Sequence, residues 1–175
     1  MTEHGYFGKI VYEDIFGFFA EYRFLIPYFD EEVLVYLGEQ YDDDGNCIDI
    51  PPTQEKLDEF ATTLENFLWE IGTGELINDI QKCAFERYLE YQDEIMNSPI
   101  TVSDTIHSQL KIGKKEHHFE YMKEIEDIRI LDNNKVEIYC RYYGLDKWNG
   151  LGIEITDNKV TGVGDWWTLH NWFNN

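Results

Sequence analysis

Apolar side chains recur at every second position through much of the first fifty residues. Phe18, Ala20, Tyr22, Phe24 and Ile26 alternate with Phe19, Glu21, Arg23 and Leu25. A period of two predicts a strand, here with one face more apolar than the other. Val33, Val35 and Leu37 repeat the pattern and predict a second strand running to Tyr41. Asp42-Asp43-Asp44-Gly45 then reads as a hairpin turn, because Asp-Gly tolerates the positive φ of tight turns. Cys47 to Ile50 is expected as the short return strand, and Tyr6 to Tyr12 as a further one.

The period changes after Pro51-Pro52. Leu57, Phe60, Ala61, Leu64, Phe67, Leu68 and Ile71 fall at steps of three and four, the apolar stripe of an amphipathic helix. Thr53 is placed to cap its start, and Gly72 and Gly74 to stop it. A second helix is predicted from Glu75 to Asn97, with Ile77, Ile80, Ala84, Tyr88, Tyr91 and Ile95 on one side and Pro99 closing it. The short glycine-containing link makes the two helices antiparallel neighbours. Between 100 and 125, Ser103-Asp104 can cap a short helix through Leu110, and His117 to Ile125 can form another.

Alternation then returns. Ile128 and Ile130 lead to Asp132-Asn133-Asn134, and Val136, Ile138, Cys140 and Tyr142 alternate with Glu137, Tyr139 and Arg141. Leu151, Ile153 and Ile155 follow, and Asp157-Asn158 turns the chain into Lys159 to Gly164. Short strands joined by Asx-rich turns predict an antiparallel meander. Strands, helices and strands again imply an α+β fold over residues 1–175 as one domain: a mostly antiparallel sheet with a central antiparallel helix pair packed on it.

Composition narrows the function. The 175 residues carry 35 Asp and Glu against 14 Lys and Arg, a net −21. Such a chain lacks the basic surface that nucleic-acid binding uses to neutralise phosphate, and it is repelled by an anionic membrane leaflet. Leu, Ile, Val and Phe make up 49 residues, enough for a core. The excess is uneven: residues 1–100 hold 23 acids and 5 bases, residues 101–175 hold 12 and 9. No signal peptide or spanning segment is visible, so a cytoplasmic location is expected. Cys47, Cys83 and Cys140 are widely spaced and odd in number, fitting neither a disulfide framework nor a metal motif, and Cys83 and Cys140 fall in helical and strand patterns where a thiol acts as a small buried hydrophobe.

Candidate chemistry is sparse. Asp42, Asp44 and Gly45 match three positions of a calcium loop, but Gln40 and Pro51 stand where its first and last ligands belong, so a solvated turn is the better reading. His117 and His118 are adjacent and point apart on a helix, so they are expected at a surface helix start rather than at a metal. No nucleophile motif and no phosphate loop is present. No metal and no cofactor is expected. The tail from Trp166 to Phe173 places Trp166, Trp167 and Trp172 within seven residues, suited to covering the sheet or to contacting a sugar or protein.

The stretch Tyr143-Gly144-Leu145-Asp146-Lys147-Trp148-Asn149-Gly150-Leu151-Gly152-Ile153, followed by Asn158-Lys159-Val160 and Gly162-Val163-Gly164, resembles the end of a bacterial family of uncharacterised domains. The helix pair ahead of it also resembles that family's central region. Trp148-Asn149 stands where the family often carries Glu-His, so no role of that pair transfers. Members look like immunity proteins of polymorphic toxin systems. The resemblance implies a non-catalytic inhibitor that binds a cognate toxin domain, with an acidic chain suited to a basic, nucleic-acid-acting one. Asp42, Asp43, Asp44, Trp166, Trp167 and Trp172 are the candidate partner-binding residues. A small-ligand or carbohydrate-binding module built on the tryptophans, or a hydrolase built on clustered carboxylates, is the alternative.

Overall fold

The computed structural model describes residues 2–42, 44–96, 113–122, 124–140 and 151–164. Among these residues nine strands form one sheet: β1 (Glu3–His4), β2 (Gly8–Glu13), β3 (Gly17–Ala20), β4 (Phe24–Leu25), β5 (Glu32–Leu37), β6 (Ile125–Leu131), β7 (Lys135–Cys140), β8 (Leu151–Thr156) and β9 (Lys159–Gly164). Their order is β1-β2-β3-β5-β6-β7-β8-β9, with β4 also paired to β5. Among the described residues, three helices lie between β5 and β6: α1 (Gln54–Thr73), α2 (Glu75–Met96) and α3 (Lys115–Met122). The expected α+β class and mostly antiparallel sheet are both present.

The helix pair follows its local signals closely. The Thr53 hydroxyl accepts the Lys56 backbone N–H at 3.2 Å, which satisfies one of the unpaired amides of the first turn of α1. At the other end Gly74 has φ +94 and donates its N–H to the Ile71 carbonyl, a left-handed C-cap that side chains disfavour. Thr53→Ala is expected to lower stability by about 1 kcal/mol, and Thr53→Ser to leave it unchanged. Urea unfolding of both variants checks this, and equal midpoints would remove the cap from the account.

The stripe Leu57, Phe60, Leu64, Phe67 and Ile71 is buried, as are Leu76, Ile77, Ile80, Ala84 and Tyr88 of α2. Both helices cover one sheet face, where Val33, Val35, Leu37, Ile128, Ile130, Val136, Ile138, Ile153 and Ile155 complete the core. The turns Asn133-Asn134 and Asp157-Asn158 have positive φ at both residues, the twist-matched hairpin geometry that Asx residues tolerate.

Four expectations need correction. The strand expected over 18–26 is broken: Phe19 pairs with Tyr36, but Phe24 pairs with Val33, so two extra residues are accommodated at Glu21–Arg23. There the Tyr22 ring lies against Gly8, at φ +72, where an added Cβ would come within 2.9 Å of the ring. The 47–50 return strand reduces to one bridge, Tyr41 to Cys47, and β5 ends at Leu37 rather than at Tyr41. Cys140 is buried as its strand position implies, Cys83 is half-buried, and Cys47 is exposed. His118 is no surface residue. It is 1 % exposed, its ring 4.9 Å from Tyr88 and 5.8 Å from Phe85, and burial pushes its pKa down to about 4. The expected helix over 103–110 and the stretch 143–150 lie outside the described residues.

The two halves of the sheet meet at one parallel seam. β5 runs beside β6 with Tyr36 opposite Arg129 and Leu34 opposite Asp127, and every other pairing among the described strands is antiparallel. No described helix is long and apolar enough to cross a membrane.

Candidate functional site

Alternation sends every second residue of β5 to β8 to the face away from the helices. Strand register lines these residues up in rows. One row reads Phe19, Tyr36, Arg129, Glu137, Glu154. The next reads Leu34, Asp127, Tyr139, Gly152, Gly164. These rows carry the charged side chains Asp127, Arg129, Glu137 and Glu154, yet Arg129 is 9 % exposed and Glu137 1 %. A buried charge is tolerable only with partners, and those partners define the site.

Glu137 accepts the Tyr139 hydroxyl at 2.8 Å and pairs with Lys135 at 3.2 Å. Lys135 also reaches Glu154 at 2.7 Å, and Glu154 accepts the Thr161 hydroxyl at 2.8 Å. Burial alone would lower the Lys135 pKa, but the Glu154 and Glu137 carboxylates outweigh it and hold the ammonium charged. Burial, followed by Glu137, pushes the Tyr139 phenol up, so it stays a donor. The pair of glycines Gly152 and Gly164 sits directly across the β8–β9 ladder, in line with Tyr139.

Arg129 does something different. Its guanidinium lies 5.1 Å from the Tyr36 ring centroid and donates to two backbone carbonyls, Gly38 at 2.9 Å and Phe16 at 3.1 Å. The fork therefore ties the β2–β3 turn and the segment after β5 to the middle of the sheet. Beside it, Asp127 is largely removed from water, and its pKa is pushed up to about 7. Burial is the main cause, opposed by Arg129 and reinforced by Glu126 and Glu137. A carboxyl that changes charge near neutrality is a common sign of a working site, though structural ion networks produce it too.

The segments held by Arg129 form a second region, a loop tip. The Gln40 side-chain amide donates to the Ile15 carbonyl, and Ile48 N–H donates to the Gln40 carbonyl at 2.9 Å. The Cys47 thiol approaches the Asp14 carbonyl at 3.9 Å. Asp42 organises the loop from within: its carboxylate accepts the backbone N–H of Asn46 at 2.8 Å and of Asp44 at 3.0 Å, as well as the Asn46 side-chain amide. The Asn46 bonds, first among these, hold the Asp42 carboxyl below its usual pKa. Asp42 thus acts as a turn-former, while Asp44 is exposed beside it.

Of the candidate residues, Asp42 and Asp44 share this tip, whereas Asp43, Trp166, Trp167 and Trp172 lie outside the described residues. Sequence reasoning did not single out Arg129, Glu137, Tyr139, Lys135 or Asp127. The available signal was the charged i, i+2 spacing in consecutive strands, which also describes a solvated face. Among the described residues no group of three or more His, Cys, Asp or Glu is placed to hold a metal ion. Comparison with known proteins returns no matching family model, no similar curated protein and no similar solved structure.

Proposed function

We propose that the chain is a non-catalytic acidic binding protein, an immunity-type inhibitor that neutralises a basic toxin domain by direct contact. The observation that carries this reading is where the acids stand. Glu55, Asp58, Glu59 and Glu65 of α1 and Glu75, Asp79, Glu86 and Glu90 of α2 are all exposed. Exposed acids of one sign raise the encounter rate with a cationic partner and oppose binding of an anionic one. The family resemblance adds the toxin context.

The test is co-expression with the product of the gene adjacent to this one. The expected result is restored growth, together with a complex whose association rate falls at least tenfold between low salt and 0.5 M NaCl, as screening of steering charges requires. Growth arrest that persists despite full expression, with no complex formed, would overturn the reading.

One observation favours a second reading, a hydrolase. Asp127, whose carboxyl burial pushes up to about 7, has the acidity that general acid–base chemistry uses. Turnover of a chromogenic ester, phosphoester or glycoside by the wild-type chain, and its loss in Asp127→Asn, would favour it over inhibition.

A further inference from the structure

Most exposed apolar side chains stand singly on a protein surface and need no explanation; a set held together at one place does. Ile15, Phe16 and Ile50 are 71 %, 45 % and 76 % exposed. They belong to the two segments that the fold ties together, through Gln40 to Ile15, Ile48 to Gln40 and Cys47 to Asp14. Phe16 is fixed from below, its carbonyl held by Arg129 and its ring 5.9 Å from that of Tyr36. The same segments carry the exposed acids Glu13, Asp14, Asp42, Asp44 and Asp49.

No lysine or arginine occurs between Lys9 and Arg23, or between Arg23 and Lys56. Arg129, which reaches the tip from the sheet, is 9 % exposed and has its fork on backbone carbonyls. The described residues of these two segments therefore present exposed acids beside the exposed apolar side chains, with no lysine or arginine among them. The loops are already ordered by their own hydrogen bonds, so a partner docking there loses little conformational entropy.

We propose that this tip is a docking surface for a cationic segment of a partner protein, one that sets an apolar side chain against Ile15, Phe16 and Ile50 while its lysines or arginines meet the exposed acids. Charge complementarity selects the occupant. A second copy of this chain would bring a like-charged tip, and a nucleic acid would bring phosphates. The inference rests on the reading of the chain as a binding protein and assigns that reading a surface.

Panning a random-peptide phage library against the whole chain tests it. Enriched peptides are expected to carry several Lys or Arg around an aromatic or aliphatic residue. Their affinity should fall at least tenfold on the double variant Ile15→Asp/Ile50→Asp, and at least tenfold in 0.5 M NaCl, while Trp69→Ala binds within twofold of wild type. Hydrogen exchange on the unaltered chain, with one synthetic enriched peptide, should protect residues 13–16 and 40–50, which guards against a misfolded variant. Absence of enrichment, peptides without basic residues, a footprint elsewhere, or concentration-dependent self-association through the tip would overturn the proposal. The toxin reading fails separately: tip-directed peptides with no binding of the adjacent gene's product remove the toxin and keep the surface. Growth protection that survives in Ile15→Asp/Ile50→Asp removes the surface and keeps the toxin.

Discussion

Arg129→Met is expected to destabilise the protein by about 3–5 kcal/mol, the range for removing one partner from a buried charged network. Methionine keeps much of the apolar stem, so the loss isolates the guanidinium. Two carbonyls, of Gly38 and Phe16, lose their donor, each at a cost of about 1–3 kcal/mol if left unpaired. Glu39, Asp127 and Tyr36 also lose the positive charge beside them. Because the cation favours the ionised form of those carboxyls, the deficit should shrink as pH falls and they take up protons. Arg129→Lys should recover less than half of the loss, since an ammonium cannot reproduce a fork spanning two carbonyls. Urea unfolding at neutral pH and at pH 5 measures all three quantities. A loss under 1 kcal/mol would show that the fork does not hold the tip.

Asp127→Asn should act in the opposite direction. The folded carboxyl keeps its proton up to about pH 7, whereas an unfolded one releases it near 3.8. Between those values the folded state binds the extra proton, so stability falls as pH rises, and the penalty is complete above pH 7. A difference of that size corresponds to about 4 kcal/mol for a fully buried group, and the part of the side chain that still sees water lowers the expected gain to about 2–3 kcal/mol. The variant should therefore be more stable than wild type at pH 8 and match it at pH 4. The groups that share this environment are Glu126, Arg129, Glu137, Tyr139, Tyr36 and Cys140. Taking the difference between variant and wild type at each pH removes their common contribution. Equal stabilities at pH 8 would mean that Asp127 is not desolvated as described.

Local signals were readable and non-local ones were not. Thr53, Gly74 and the 3.6-residue stripe between them specify α1 within one turn of chain, and the Asx pairs at 133–134 and 157–158 specify their hairpins, because backbone φ is a local property. The break at Glu21–Arg23 depends on Gly8 and on Val33, far away in sequence. His118 is buried because Phe85 and Tyr88 are brought to it, and nothing in the short α3 pattern says so. The site divides the same way. Asp42 was legible as a turn residue, while Arg129 beneath the tip and the joint exposure of Ile15, Phe16 and Ile50 require the assembled sheet.

The parallel seam bears on how the chain is made. Val35 and its partner Ile128 are 93 positions apart, so β5 leaves the ribosome with one edge bare. At ordinary synthesis rates roughly 5–20 seconds pass before β6 exists to cover it. The helix pair and the β6–β9 meander can each form from nearby chain, but the seam must wait for loop closure over that span. During the wait Val33, Val35 and Leu37 belong to a strand open to a neighbouring nascent chain. The first hundred residues, with 23 acids against 5 bases, then act on the polysome itself: like-charged half-made chains repel one another until the seam can close.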